Sequence, residues 1–224
     1  MHFSFTKWIH ILWMLPAVLA LNACATYYQT HFDFNSEFEK GDLQKALETL
    51  KKRESEGEGK SRFLYHVNKG LLLSILGEYE ESNTYFEKAF LFGEDYRINY
   101  VAEATSYFTN PGVTAYRGED HEHLMLLYFK AINFLKMNKP EQALVECRRL
   151  NIRLNQLNDK YASEKKFQRD AFVHTLMGII YQSTKDYNNA FIAYRNAVEV
   201  YEDDYARMFG INAPLQLKKD LLTM

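Results

Sequence analysis

The chain has 224 residues, 47% hydrophobic and 25% charged, with a formal net charge of −2 at pH 7. These are globular proportions, enough for one core or a short solenoid, and the near-neutral balance offers no field for a phosphate backbone, so nucleic acid is not an expected partner. Ten Gly, four Pro and no alternating apolar and polar runs speak against a sandwich of short strands and for an all-helical protein.

Residues 1–23 carry one Lys, Lys7, no acidic residue, and an apolar run from Trp8 to Ala23 broken only by His10, Pro16 and Asn22. The run falls short of the roughly 20 residues a membrane span needs and ends on small residues, the pattern of a secretory signal peptide. At its end stands Leu21-Asn22-Ala23-Cys24. This resembles the lipobox of bacterial lipoproteins, and the resemblance implies that Cys24 is acylated and becomes the first mature residue, with residues 24–33 as a tether. Residue 25 is Ala rather than Asp. In lipoproteins of enteric bacteria that choice goes with transport to the outer membrane, so the expected location is its periplasmic face, with inner-membrane anchoring as the lesser alternative. Each buried acyl CH₂ contributes about 0.8 kcal/mol, so two or three chains hold the protein stably. With Cys24 acylated, Cys147 is the only remaining thiol and no intramolecular disulfide is expected.

Residues 34–222 read as one helical repeat domain. A partial repeat spans 34–53, with Gly41 at the turn and Ala46 at a small position, followed by an acidic, Gly-containing loop at 54–59. Three segments then align, at about 63–95, 124–157 and 171–204. Each first helix has a small residue in its middle (Gly70, Ala131, Gly178), and each second helix sets a larger one (Phe86, Cys147, Tyr194) between its small positions. A small residue lets two helices approach, and the larger one fills the space between them. At the turns, Gly77 and Asn138 suit left-handed helix ends, Asn138 and Asp186 suit caps of the following helices, and Pro140 suits a first turn. The pattern resembles the tetratricopeptide repeat, a 34-residue helix-turn-helix unit, which implies an all-α helical-hairpin solenoid. Gly70 and Ala131 are 61 residues apart, which leaves an insertion at 96–122 with a helix expected at 98–108. Ala131 and Gly178 are 47 apart, and Ile152, Leu154 and Leu157 extend the second helix of the middle repeat. Repeats two and three are therefore expected to be splayed or extended.

Tyr116-Arg117-Gly118, followed by Glu122 and the middle repeat, is similar to a family of bacterial tetratricopeptide-like envelope lipoproteins of uncharacterised function. Members of that family continue into a further domain, so the resemblance implies a truncated member. In tetratricopeptide folds the first helices line a concave groove. Carried over, those positions are Val67, Leu71, Ser74 and Ile75, then Tyr128, Ile132 and Leu135, then Thr175, Ile179 and Gln182. The stripe is apolar and lacks the Lys/Arg pattern that reads a peptide carboxylate. An open groove would favour an apolar segment, and a groove filled by the insertion would be core. Tyr107, Tyr116, Arg117 and Glu122 are candidate contacts on the insertion.

His121 and His123 stand among Glu119, Asp120 and Glu122, a set that either holds a divalent metal or begins a helix that Asp120 caps. No further ligand at helical spacing is visible, so neither metal nor cofactor is expected. His66 and His174 share one position of their repeats, which points to packing. Cys147 holds a core position and reads as a small hydrophobe. Tyr79, Tyr187 and Tyr194 are expected in the core, and Arg148, Arg149 and Arg153 on an outward, solvated face. No G-x-S-x-G, P-loop or HExxH pattern occurs. The sequence therefore points to a non-catalytic, lipid-anchored scaffold for another envelope protein or peptide segment. The alternative is a glycan- or peptidoglycan-binding accessory lipoprotein assisting polysaccharide export or envelope assembly, and a distant third a metal-dependent enzyme at His121 and His123.

Overall fold

The structure, a computed structural model, describes residues 31–97, 115–160 and 169–224. The signal segment, Cys24, the helix expected at 98–108 and Tyr107 lie outside the described residues. The chain divides into two compact units, residues 1–52 and 53–224.

In the first unit α1 (Phe32–Glu39) and α2 (Leu43–Lys51) pair as a hairpin. Gly41 makes the turn at φ +77°, and the Asp42 carboxylate caps α2 by accepting from the Lys45 N–H at 3.3 Å. Ala46 is buried, as its small position requires.

The second unit carries three longer hairpins: α3 (Arg62–Leu76) with α4 (Tyr79–Arg97), α5 (Asp120–Lys136) with α6 (Pro140–Lys160), and α7 (Ala171–Ser183) with α8 (Tyr187–Val200). A π-helical turn at Tyr201–Tyr205, a short α9 (Ala206–Phe209) and α10 (Leu215–Thr223) follow. Successive hairpins stack, α4 on α5 and α6 on α7, and α10 lies on α8. Among the described residues there is no strand, and no helix is long and apolar enough to cross a membrane. The fold is an all-α helical-hairpin solenoid.

The small-and-large pairing sets the closeness of each hairpin. A Cβ added at Gly70 would stand 2.7 Å from the Phe86 ring, and one at Gly178 would stand 2.5 Å from the Tyr194 ring. Ala131 and Cys147 share the corresponding cluster in the middle hairpin. At the turns Gly77, Asn138 and Lys185 take left-handed φ values of +89°, +57° and +63°. Asp186 caps α8 through the Asn189 N–H, and Pro140 opens α6. Asn138 does not cap α6; its left-handed backbone closes α5 instead. Two of the tyrosines expected in the core are not fully buried, because Tyr79 and Tyr187 are the first residues of α4 and α8, and Tyr187 is exposed. Tyr194 is fully buried, and its hydroxyl donates to Gln182 Oε1 at 2.7 Å. The middle repeat's second helix runs 21 residues, burying Leu154 and Leu157 while Ile152 faces out. Leu217 of α10 packs on Ala190, Tyr194 and Ala197, covering the apolar face of the last hairpin.

Candidate functional site

None of the ten candidate groove residues is fully buried. Val67 and Leu71 lean on the core around Phe63, Phe86 and Leu126, and Leu135 leans on Ala143 and Cys147. Ile75, Ile179 and Gln182 are exposed. Ser74 and Thr175 bond within the fold, Ser74 Oγ donating to Asn133 Oδ1 at 2.6 Å and Thr175 Oγ1 to the Ala171 carbonyl at 2.7 Å. The stripe borders an apolar cavity of about 350 Å³ formed by Met125, Tyr128, Phe129 and Ile132 of α5 and Phe172 of α7. Sequence reasoning found Tyr128 and Ile132 but missed Met125, Phe129 and Phe172. The signal was present for two of these, since Met125, Phe129 and Ile132 are spaced i, i+4, i+7 and share one helix face. Phe172 is set by a cap: the Asp170 carboxylate accepts from the Phe172 and Val173 N–H groups at 2.7 and 3.2 Å, fixing where α7 begins. The Phe172 ring then lies 5.3 Å from that of Tyr128. Burial, and next the neighbouring Asp170 carboxylate, push the Tyr128 phenol well above its ordinary pKa, so it stays neutral.

The flank of the insertion is tied down. The Tyr116 N–H donates to the Lys60 carbonyl at 3.1 Å, while the Tyr116 hydroxyl and the Glu119 N–H both donate to Glu122 Oε2, at 2.5 and 2.7 Å. The Arg117 guanidinium lies 4.1 Å over the Phe92 ring and donates to the Phe92 carbonyl at 3.1 Å. Gly118, at φ +85°, sits where a Cβ would come within 2.2 Å of the Phe63 ring. The four residues that carry the lipoprotein resemblance in this loop thus dock residues 115–119 onto α3 and α4. The expected cap is also displaced by one residue. Glu119, not Asp120, is the N-cap of α5, because Glu122 reciprocates by accepting from its N–H, and the Asp120 carboxylate instead faces Arg153 and Lys160 at 3.4 and 3.1 Å.

His121 is exposed, whereas His123 is 1% exposed, with its ring between Phe63 and Phe90 and its Nε2 2.9 Å from the Arg117 carbonyl. Two residues apart on a helix, the imidazoles face opposite sides and do not share an ion. No group of three or more metal-ligating side chains is found among the described residues. Cys147 is buried, and burial followed by the Glu146 charge pushes its thiol up to about 12, which suits packing rather than nucleophilic work. His66 is buried as well; burial first, then the Lys88 charge, lower it to about 4.

The basic run on α6 does not face solvent as a whole. Arg148 is exposed and donates to the Tyr181 hydroxyl at 3.3 Å, but Arg153 is buried and Arg149 half-buried. Arg149 lies 4.3 Å over the Phe90 ring, grips Glu87 with two parallel bonds of 3.1 and 3.2 Å, and also holds Glu146 at 3.0 Å. Lys130, 4% exposed, pairs with the same two carboxylates, at 2.9 Å to Glu146. This quartet joins α4, α5 and α6. It was invisible in the sequence because Glu87 lies 62 residues from Arg149 and 43 from Lys130.

Residues 65–91 and 173–204 match the family model of the tetratricopeptide repeat. The chain carries tetratricopeptide repeats. These two repeats coincide with the α3/α4 and α7/α8 hairpins, and α5/α6 between them repeats the same pairing of small and larger residues. Tetratricopeptide repeats mediate protein–protein interactions, generally as non-catalytic scaffolds. A solved tetratricopeptide repeat protein from Parabacteroides merdae is similar, at 15% identity over 93% of this chain and 88% of that chain, with a TM-score of 0.27. No curated protein matches the chain.

Proposed function

We propose that the protein is a non-catalytic scaffold, anchored by lipid at Cys24 on the periplasmic face of the outer membrane, that holds an apolar segment of another envelope protein over α5. The observation that carries the reading is the cavity of Met125, Tyr128, Phe129, Ile132 and Phe172, whose lining contains no charged side chain. An apolar anchor entering it gains about 25 cal/mol for each Å² removed from water, whereas a charged one loses hydration and finds no partner. Two of its lining residues, Met125 and Phe172, are about half exposed, apolar surface that a partner could cover.

Ile132→Asp is expected to weaken partner capture at least about tenfold, equivalent to about 1.4 kcal/mol, with helicity by circular dichroism unchanged. The check is crosslinking and quantitative mass spectrometry from native cells, with Ile192→Asp, at an exposed position of α8, as the control. Equal recovery with Ile132→Asp would sink the groove reading. The anchor rests on the Leu21-Asn22-Ala23-Cys24 pattern. Cys24→Ala is expected to leave the protein soluble or as uncleaved precursor; a processed variant still anchored in the membrane fraction would refute lipidation at this position.

A further inference from the structure

Where the sulfur atoms lie decides how the chain meets peroxide. A thiol reacts through its thiolate and ordinarily ahead of a thioether. Cys147, the one cysteine among the described residues, is 1% exposed, and its thiol is pushed up to about 12, so it carries almost no thiolate at neutral pH. The thioethers are left. Among the described residues Met137, Met177 and Met224 are partly covered, whereas Met125 and Met208 are 47% and 39% exposed. Met208 lies on α9, while Met125 lines the apolar cavity at α5.

At that place the oxidation state of sulfur changes what the cavity can hold. Met125 stands one turn before Phe129, on the helix face that also carries Ile132. As a thioether it is apolar wall that adapts to an incoming side chain. As a sulfoxide it carries an S=O oxygen, a strong hydrogen-bond acceptor. The other lining side chains are hydrocarbon apart from the Tyr128 hydroxyl, which lies beside the Asp170 carboxylate, so none is free to donate to that oxygen. Open to water, the sulfoxide is solvated and leaves the fold undisturbed. Covered by an apolar segment, it loses that water and gains no partner, so oxidation disfavours the occupied cavity alone.

We propose that Met125 is an oxidative modification site, at which hydrogen peroxide releases the apolar segment held over α5. A lone pair of the Met125 sulfur attacks one peroxide oxygen, and the S–O bond forms as the O–O bond breaks. The departing hydroxide takes the proton left on the transferred oxygen, so methionine and hydrogen peroxide give methionine sulfoxide and water. Sulfur gives up two electrons and the peroxide gains them. Methionine sulfoxide reductases restore the thioether. The release rests on the groove reading, whereas the modification itself does not.

Membranes carrying the full chain, exposed to graded hydrogen peroxide and mapped by peptide mass spectrometry, test the modification. Met125 and Met208 are expected to convert at least about threefold faster than Met177, with Cys147 unmodified. Crosslinking capture in native cells, with and without brief peroxide treatment, tests the release. Oxidation should weaken capture at least about tenfold, and Met125→Gln should do so without peroxide. Met125→Leu, close in volume and without sulfur, should keep its capture after peroxide. Met125 is half exposed, so neither substitution puts the fold at stake. The proposal is overturned if Met125 converts no faster than Met177, or if oxidised or Met125→Gln protein captures as well as the reduced natural chain. It is equally overturned if Met125→Leu loses capture to peroxide as the natural chain does. Ile132→Asp separates the two readings: capture lost in that variant but intact after oxidation sinks the switch alone, and capture intact in both sinks the groove with it.

Discussion

Lys130→Ala is expected to lower the stability of the full chain by about 3–5 kcal/mol, the usual cost of removing one partner from a buried ion pair. The side chain is buried, and so is Glu146, which would keep only Arg149 as its cation. An exposed salt bridge would contribute about 0–1 kcal/mol, so the size of the loss separates a buried quartet from a surface one. Lys130→Met retains the volume of the stem and should lose less than Lys130→Ala. Acid dependence gives an independent check. Burial raises the Glu87 carboxyl, but hydrogen bonds from Arg149 and Lys130 outweigh it and hold the pKa below its ordinary value. A carboxylate lowered in the folded state stabilises the fold above the unfolded pKa and loses that contribution as pH falls through the folded one. Without Lys130 the depression is smaller, so the variant should lose less stability on acidification and should finish losing it at a higher pH. Urea unfolding across the acid range measures both effects. A Lys130→Ala loss within about 0.5 kcal/mol of wild type would show that the quartet behaves as a solvated pair.

The hairpins were legible in the sequence because their determinants are local. Gly70 and Phe86, or Gly178 and Tyr194, lie 16 residues apart within one repeat, and the contact they make recurs with the repeat. The quartet was not legible, since its members come from three helices and their sequence separation carries no signal. Arg149 and Arg153 looked like a solvated run because their partners, Glu87 and Asp120, reach them only when the hairpins stack. The cap of α5 was misplaced by one residue for a chemical reason: Asp is the commoner cap, but Glu122 lies three residues after Glu119 and accepts from its N–H. The groove was half legible. Register carried over from repeat to repeat placed Tyr128 and Ile132 in the cavity, while Phe172 depended on where Asp170 starts α7.

Gly93→Ala reverses an ordinary expectation. In a helix interior this substitution is worth about 1 kcal/mol of stabilisation, because glycine costs more backbone entropy. Gly93 lies inside α4, yet a Cβ there would fall 1.9 Å from His123 Cε1 and 3.1 Å from the Arg117 carbonyl oxygen. The His123 ring has no slack, since Phe63 and Phe90 flank it and its Nε2 bonds the Arg117 carbonyl. Overpacking of this kind costs about 1–3 kcal/mol, which exceeds the gain from helix propensity. Gly93→Ala is therefore expected to destabilise the chain in thermal unfolding. His123→Ala removes the nearer obstacle and leaves only the Arg117 carbonyl contact, so the same glycine change made in that background should cost less than in the natural chain, and the two effects should fail to add. A stabilising Gly93→Ala in the otherwise natural chain would mean that α4 and α5 do not meet through His123, and that Arg117 and Gly118 do not hold the end of the insertion against α3 and α4.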